Sequence, residues 1–225
     1  VDADFPSDQA NHIIVGVPNI RDTLWLECTS QTNPFGYLGN FTGDRKGLMI
    51  TETGGKLVHT IRYGADQNTQ IRKADVVLHL SGDATARVNT TYSGIQYENG
   101  DLNFYLNKQA DDQRKWLQRN ISIPSFDINT FSMRNIKDKI PSGVVTVELN
   151  LKRFATVSGK RIFLTPNLMN RSTYIPEKLE SRKTSIVIKH GYIDRDTINY
   201  NLPEGIYPEY VPAPVNLRTR FGEYE

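Results

Sequence analysis

Between residues 73 and 92 apolar and polar side chains change places at almost every step. Ala74, Val76, Leu78 and Leu80 are interleaved with Lys73 and Asp75, and, past Ser81-Gly82-Asp83, the residues Ala84, Ala86, Val88, Thr90 and Tyr92 are interleaved with Arg87 and Asn89. A period of two sends successive side chains to opposite faces of a strand, so the stretch reads as a hairpin with one buried and one wetted face. A slip of one residue would turn the whole apolar set to water, which fixes the register. Further strands are expected around Phe126 to Met133, Val144 to Phe154, Arg161 to Leu164, Ser185 to Tyr192, Thr197 to Leu202 and Val215 to Phe221. Turn chemistry at residues 137–143 and 194–196 separates some of them. Only one segment changes period. Leu102, Leu106, Ala110, Gln113, Leu117 and Ile121 recur every three or four residues and predict a helix, with Asp101 as N-cap and Pro124 past its end. The pattern predicts a mainly β, α+β chain in which residues 71–225 form a largely antiparallel β-sandwich with one inserted helix.

A second alternating pair opens the chain. Asn11 to Val17 and Asp22 to Thr29 read as antiparallel strands joined by a break at Pro18 to Arg21. On that reading His12 shares a face with Ile14 and Gly16, while Glu27 shares one with Thr23 and Trp25, so His12 and Glu27 can meet. Cys28 then points the other way, with Leu24 and Leu26. A reactive thiolate needs access and a neighbouring base, so Cys28 is expected to be a buried structural residue. Turn-rich residues 33–44 lead to short strands near Gly47 to Thr51 and Leu57 to Thr60, and residues 1–65 look like the closing strands of an α+β core. Gly64 to Gln70 is polar and reads as a linker.

Composition removes several functions. The 27 basic residues against 25 acidic ones leave no electrostatic case for nucleic acid or an anionic membrane surface. Apolar residues make up 38% of the chain, with eleven Tyr and nine Phe, which argues for a folded core. No apolar run is long enough to span a membrane. No signal peptide is visible and the chain opens at Val1, so it reads as an excised piece of a longer protein. One Cys permits no internal disulfide. His12, His59, His79 and His190 lack the spacing of zinc ligands, so no metal is expected, and the glycines between 36 and 55 lack the Gly-Lys-Ser/Thr of a phosphate loop, so no cofactor is either. Asp83, Asp194 and Asp196 read as turn acids. The basic run Arg171, Lys178, Arg182 and Lys183, with Tyr174, reads as a solvated loop. Tyr192, Tyr200, Tyr207, Tyr210 and Tyr224 are either strand packing or a stacking face for a glycan or peptide.

The residues Asn11-His12, the acid Glu27 fifteen positions after His12, and the following Cys28-Thr29-Ser30-Gln31-Thr32-Asn33-Pro34-Phe35-Gly36-Tyr37 resemble the second half of the transglutaminase-like core. Ser158 to Arg161 and Leu179 to Thr184 look like the β-domain that follows this core in multidomain proteins of the bacterial envelope. The resemblance implies that His12 is the catalytic base of a papain-type site and Glu27 the orienting acid, at a position usually held by Asp. It implies a nucleophilic Cys on a helix some tens of residues before the His, whereas only eleven residues precede His12 here. The chain is therefore expected to carry a triad remnant without its nucleophile, to be inactive alone, and to end before its β-domain is complete. A periplasmic or cell-envelope location, and a peptide or protein substrate for the parent, follow from the same resemblance. By spacing alone, without the resemblance, the pair reads as a strand histidine beside a surface acid. The alternative function is a non-catalytic envelope scaffold whose β-domain recognises peptide or polysaccharide.

Overall fold

The computed structural model describes residues 4, 5, 7–18, 23–170 and 177–225. Of the expected break at Pro18 to Arg21, Pro18 closes β1 and residues 19–21 lie outside the described residues, as do Arg171 and Tyr174 of the basic run. The chain begins with β1 (Val15–Pro18), β2 (Thr23–Leu26), a single turn α1 (Gly39–Thr42), β3 (Lys46–Thr51) and β4 (Gly54–His59). The central part holds β5 (Thr69–Leu78), β6 (Ala84–Ser93), a 3-10 segment (Gly94–Asp101), α2 (Leu102–Tyr105) and α3 (Ala110–Asn120). Then follow β7 (Phe126–Ile136), β8 (Ser142–Leu151), β9 (Thr156–Ser158), β10 (Arg161–Phe163), β11 (Ile193–Asn201), β12 (Leu217–Thr219) and β13 (Gly222–Tyr224).

The main body is a five-stranded sheet in the order β11-β5-β6-β8-β7. Alternation dictates its pairing. Val76 lies opposite Ala86 and Ala74 opposite Val88, and across the next interface Val88 faces Val147 and Ala86 faces Leu149. All of these are buried on one side of the sheet. The other side carries Lys73, Asp75, Arg87 and Asn89, all exposed. There Asn89 Nδ2 donates to Thr146 Oγ1 at 2.8 Å, and Asn199 Nδ2 to Asp75 Oδ1 at 2.9 Å. The interior pairings are antiparallel, whereas the edge strand β11 joins β5 in parallel.

The mainly β, α+β character is present, but the layer covering the apolar face is helical where a sandwich would place a second sheet. Tyr97, Leu102, Leu106, Trp116, Leu117 and Ile121 fill it. The expected continuous helix is broken into α2 and α3, because Gln109 at the start of α3 has an extended backbone. Gln113 Nε2 reaches back to the carbonyls of Tyr105 and Leu106 at 3.2 and 3.3 Å, supplying a donor to carbonyls that end α2. The break rotates the register, so Ala110 is exposed and Trp116 is buried instead. Asp101 is not a side-chain cap; its backbone is left-handed, with φ of 60°.

Three other expectations differ from the structure. Leu80 is 64% exposed because β5 ends at Leu78, where His79 and Asp83 close a turn around Gly82. Gly82 has φ of +85°, and a Cβ there would lie 2.5 Å from Ala155 O, so the turn needs glycine. Residues 185–192 form no strand, and Ile186, Val187 and Ile188 all face water. The segment near Val215 to Phe221 is instead split into the hairpin β12–β13.

The presumed linker is structural. Asn68 is 1% exposed; its Nδ2 donates to Gly191 O at 3.0 Å and to Tyr63 O at 3.3 Å, while its Oδ1 accepts the Ile95 amide at 3.0 Å. A buried amide with these partners pins three chain segments together. Among the described residues no helix is long and apolar enough to cross a membrane.

Leu149 is 0% exposed at the centre of the apolar face, whereas Val187 is 74% exposed. Leu149→Ala is expected to lower unfolding free energy by about 2–5 kcal/mol, and Val187→Ala to change it by no more than about 0.5 kcal/mol. Urea denaturation of both variants measures the contrast, and equal effects would contradict the assignment of the core.

Candidate active site

β1 and β2 pair antiparallel, with Val15 opposite Leu26, Gly16 opposite Trp25 and Val17 opposite Leu24. His12 precedes β1 and Glu27 follows β2, so both stand at the open end of this ladder, where the two chains remain side by side. The structure brings them together: His12 Nε2 lies 2.8 Å from Glu27 Oε2. Their side chains are 21% and 5% exposed. An ionised carboxylate only accepts, so the imidazole donates from Nε2.

The second carboxylate oxygen is also engaged. Glu27 Oε1 accepts the Thr29 amide at 2.9 Å and the Thr29 hydroxyl at 2.6 Å. Burial works against the charge on Glu27, but the Thr29 hydrogen bonds, and behind them His12, outweigh it and hold its pKa below the ordinary glutamate value. The carboxylate is thus held at both oxygens.

Cys28 corrects an expectation. It is exposed, not buried toward Leu24 and Leu26. The strand ends at Leu26 and Glu27 folds back onto Thr29, so alternation no longer sets the direction of the next side chain. The thiol's contact is Leu26 O at 3.9 Å, a weak one, rather than His12.

The far side of His12 meets α1. The Phe41 ring lies edge-on to the imidazole, with centroids 5.0 Å apart and planes at 67°. Leu38 N donates to Tyr63 Oη at 2.9 Å, Thr60 Oγ1 donates to Thr42 O at 2.7 Å, and Asn40 N lies 3.2 Å from both carboxylate oxygens of Glu98. Burial raises the pKa of Glu98, against the opposing effect of the Asn40 amide.

The other sequence candidates do not converge. Asp83 accepts the Arg153 amide at 2.8 Å, at the opposite end of the sheet from Asp194. Asp196 pairs with the buried Arg72 at 3.1 Å. His59 lies 3.5 Å from Asp44. Among the described residues, no three of His, Cys, Asp and Glu gather in a metal-binding group. Lys178, Arg182 and Lys183 are exposed, as are Tyr192, Tyr207, Tyr210 and Tyr224. Tyr200 packs partly on the core and donates to Pro166 O at 2.7 Å; its burial pushes the phenol up to about 12. A separate polar cavity of about 350 Å³ is lined by Gln70, Arg72, Tyr92 and Trp116, away from the hairpin.

Residues 160–225 match a family described as a "Domain of Unknown Function with solved-structure structure", DUF3858. The match takes in β10, β11, β12 and β13 and excludes His12 and Glu27. The chain matches no curated protein and no solved structure.

Thr29, Phe41 and Glu98 escaped the sequence reading. Thr29 had a local signal, a hydroxyl two residues after an acid at a strand end. Glu98 had none, because it lies 58 residues from Asn40.

Glu27 has a lowered pKa, so its stabilising contribution is present above the unfolded glutamate value of about 4.3 and is lost as pH falls through the folded value. Thr29→Val removes the hydroxyl and should move the Glu27 titration, followed by carboxyl ¹³C NMR, up toward the ordinary value. An unchanged midpoint would deny Thr29 its part in holding the charge.

Proposed function

We propose that His12 and Glu27 are the base and the orienting acid of a papain-type thiol site in a transglutaminase-like protein, acting on an amide bond of a peptide or protein substrate. The observation that carries this reading is the 2.8 Å contact between His12 Nε2 and Glu27 Oε2, which assigns the nucleophile's part to the other ring nitrogen, Nδ1. The Glu at a position usually held by Asp is one methylene longer. Its clamp by Thr29 supports the same role, since it removes the freedom the extra carbon adds.

In this reading the nucleophilic thiol comes from chain upstream of the 225 residues. Its proton passes to Nδ1, and Glu27 stabilises the imidazolium that forms. The thiolate sulfur bonds the substrate's carbonyl carbon, the C–N bond breaks, and the Nδ1 proton leaves on the departing amine. The thioester then passes its acyl group to water or to a second amine. The matched β-region is an accessory domain, and the parent belongs to the bacterial envelope.

The test uses the full-length parent with a peptide anilide and iodoacetamide. His12→Ala should lower acyl transfer by about 10²–10⁴-fold and slow alkylation of the upstream thiol at neutral pH. Equal thiol reactivity in wild type and His12→Ala would sink the pairing. The 225-residue chain alone should show no turnover; activity there that is abolished by Cys28→Ala would move the nucleophile to Cys28.

A further inference from the structure

We infer that Glu98, a residue of the 3-10 segment over the sheet, is a positioning residue for His12, acting through α1 and Phe41. The inference rests on the reading of His12 as a catalytic base. Both carboxylate oxygens of Glu98 lie 3.2 Å from the Asn40 amide. Gly39, with φ of +68°, lets the backbone come this close: a Cβ there would stand 2.3 Å from Glu98 Oε1. The next residue after Asn40 is Phe41, whose ring edges the imidazole at 5.0 Å.

Phe41 is 58% exposed, so its own burial does not fix it. Its place is inherited from the backbone of α1. A four-residue turn has little stability of its own and takes its position from its anchors. Two of these, Tyr63 and Thr60, belong to the same N-terminal part of the chain. Among the described residues, Glu98 is hydrogen-bonded to α1 from the 3-10 segment, beside the buried Tyr37 and Leu38 that lead into the turn. Its base is firm: Tyr97 beside it is buried and donates to Asn135 Oδ1 at 3.0 Å, and Asn99 Nδ2 donates to Gln96 Oε1 at 2.5 Å. The imidazole is therefore held at its Nε2 edge by Glu27 and packed by Phe41, whose backbone is reached by a residue 86 positions away from His12 in sequence. What Glu98 supplies is an acceptor oxygen, and a glutamine oxygen can do the same.

The test reads the His12 ring directly by NMR on the 225-residue chain, independently of activity. The Nε2–H proton, held by Glu27, should give a downfield signal in wild type and in Glu98→Gln. In Glu98→Ala and in Phe41→Ala the signal should broaden away or exchange at least tenfold faster, while amide shifts of β5 and β6 stay in place. Phe41 is exposed, so its variant keeps the fold even if Glu98→Ala does not. An unchanged signal in Phe41→Ala, or loss in Glu98→Gln equal to that in Glu98→Ala, would overturn the inference. In the full-length parent, Glu98→Ala should lower kcat roughly ten- to a hundredfold with little change in KM, and Glu98→Gln should restore it. Absence of turnover in the wild-type parent would strike the thiol-site reading and leave the NMR result to decide the mechanical link.

Discussion

Val76, Val88, Val147 and Leu149 stand on one face of three neighbouring strands, and the layer that covers them places most of what else matters in the molecule. Burying that face removes enough apolar surface to order the long sheet. Its cover is made by Tyr97, Leu102, Leu106, Trp116 and Leu117, so the 3-10 segment and both following helices must lie across the sheet. That constraint carries Glu98 to the Asn40 amide. Packing energy in the sheet domain therefore determines where one wall of the histidine site can be.

Two glutamates near this site show how environment decides the behaviour of one side-chain type. Glu27 is buried, yet three hydrogen bonds favour its charged form, so it is held ionised. Glu98 has a backbone amide shared between its oxygens and the Tyr37 phenol beside it, and burial still wins. Stability from Glu27 is present above the ordinary carboxylate value. That from Glu98 has the opposite sign: its raised pKa means a contribution present below the ordinary value and lost as pH rises through the folded one. The first suits a group hydrogen-bonded to an imidazole. The second suits a group whose work is to accept one hydrogen bond in a confined place.

Some of the site was legible. The spacing of His12 and Glu27 on alternating strands put both on one face, and the structure joins them. Alternation failed one residue later at Cys28, because it describes a paired strand and β2 stops at Leu26. The same limit explains Leu80, which lies beyond the end of β5, and Ala110, which follows the break at Gln109. Phe41 and Glu98 lay beyond any local rule, since neither is marked by spacing or composition.

Sequence pattern was enough for the apolar face of β5 and β6, for their pairing as a hairpin, and for the meeting of His12 with Glu27. Period-two alternation is a local geometric fact, and a one-residue error exposes the entire set. Tertiary structure alone decided that helices, not a second large sheet, cover that face, that the predicted helix breaks before Gln109, and that Glu98 reaches α1. Those outcomes depend on which distant surfaces compete for the same buried area and the same unpaired backbone groups, and no local pattern encodes that competition.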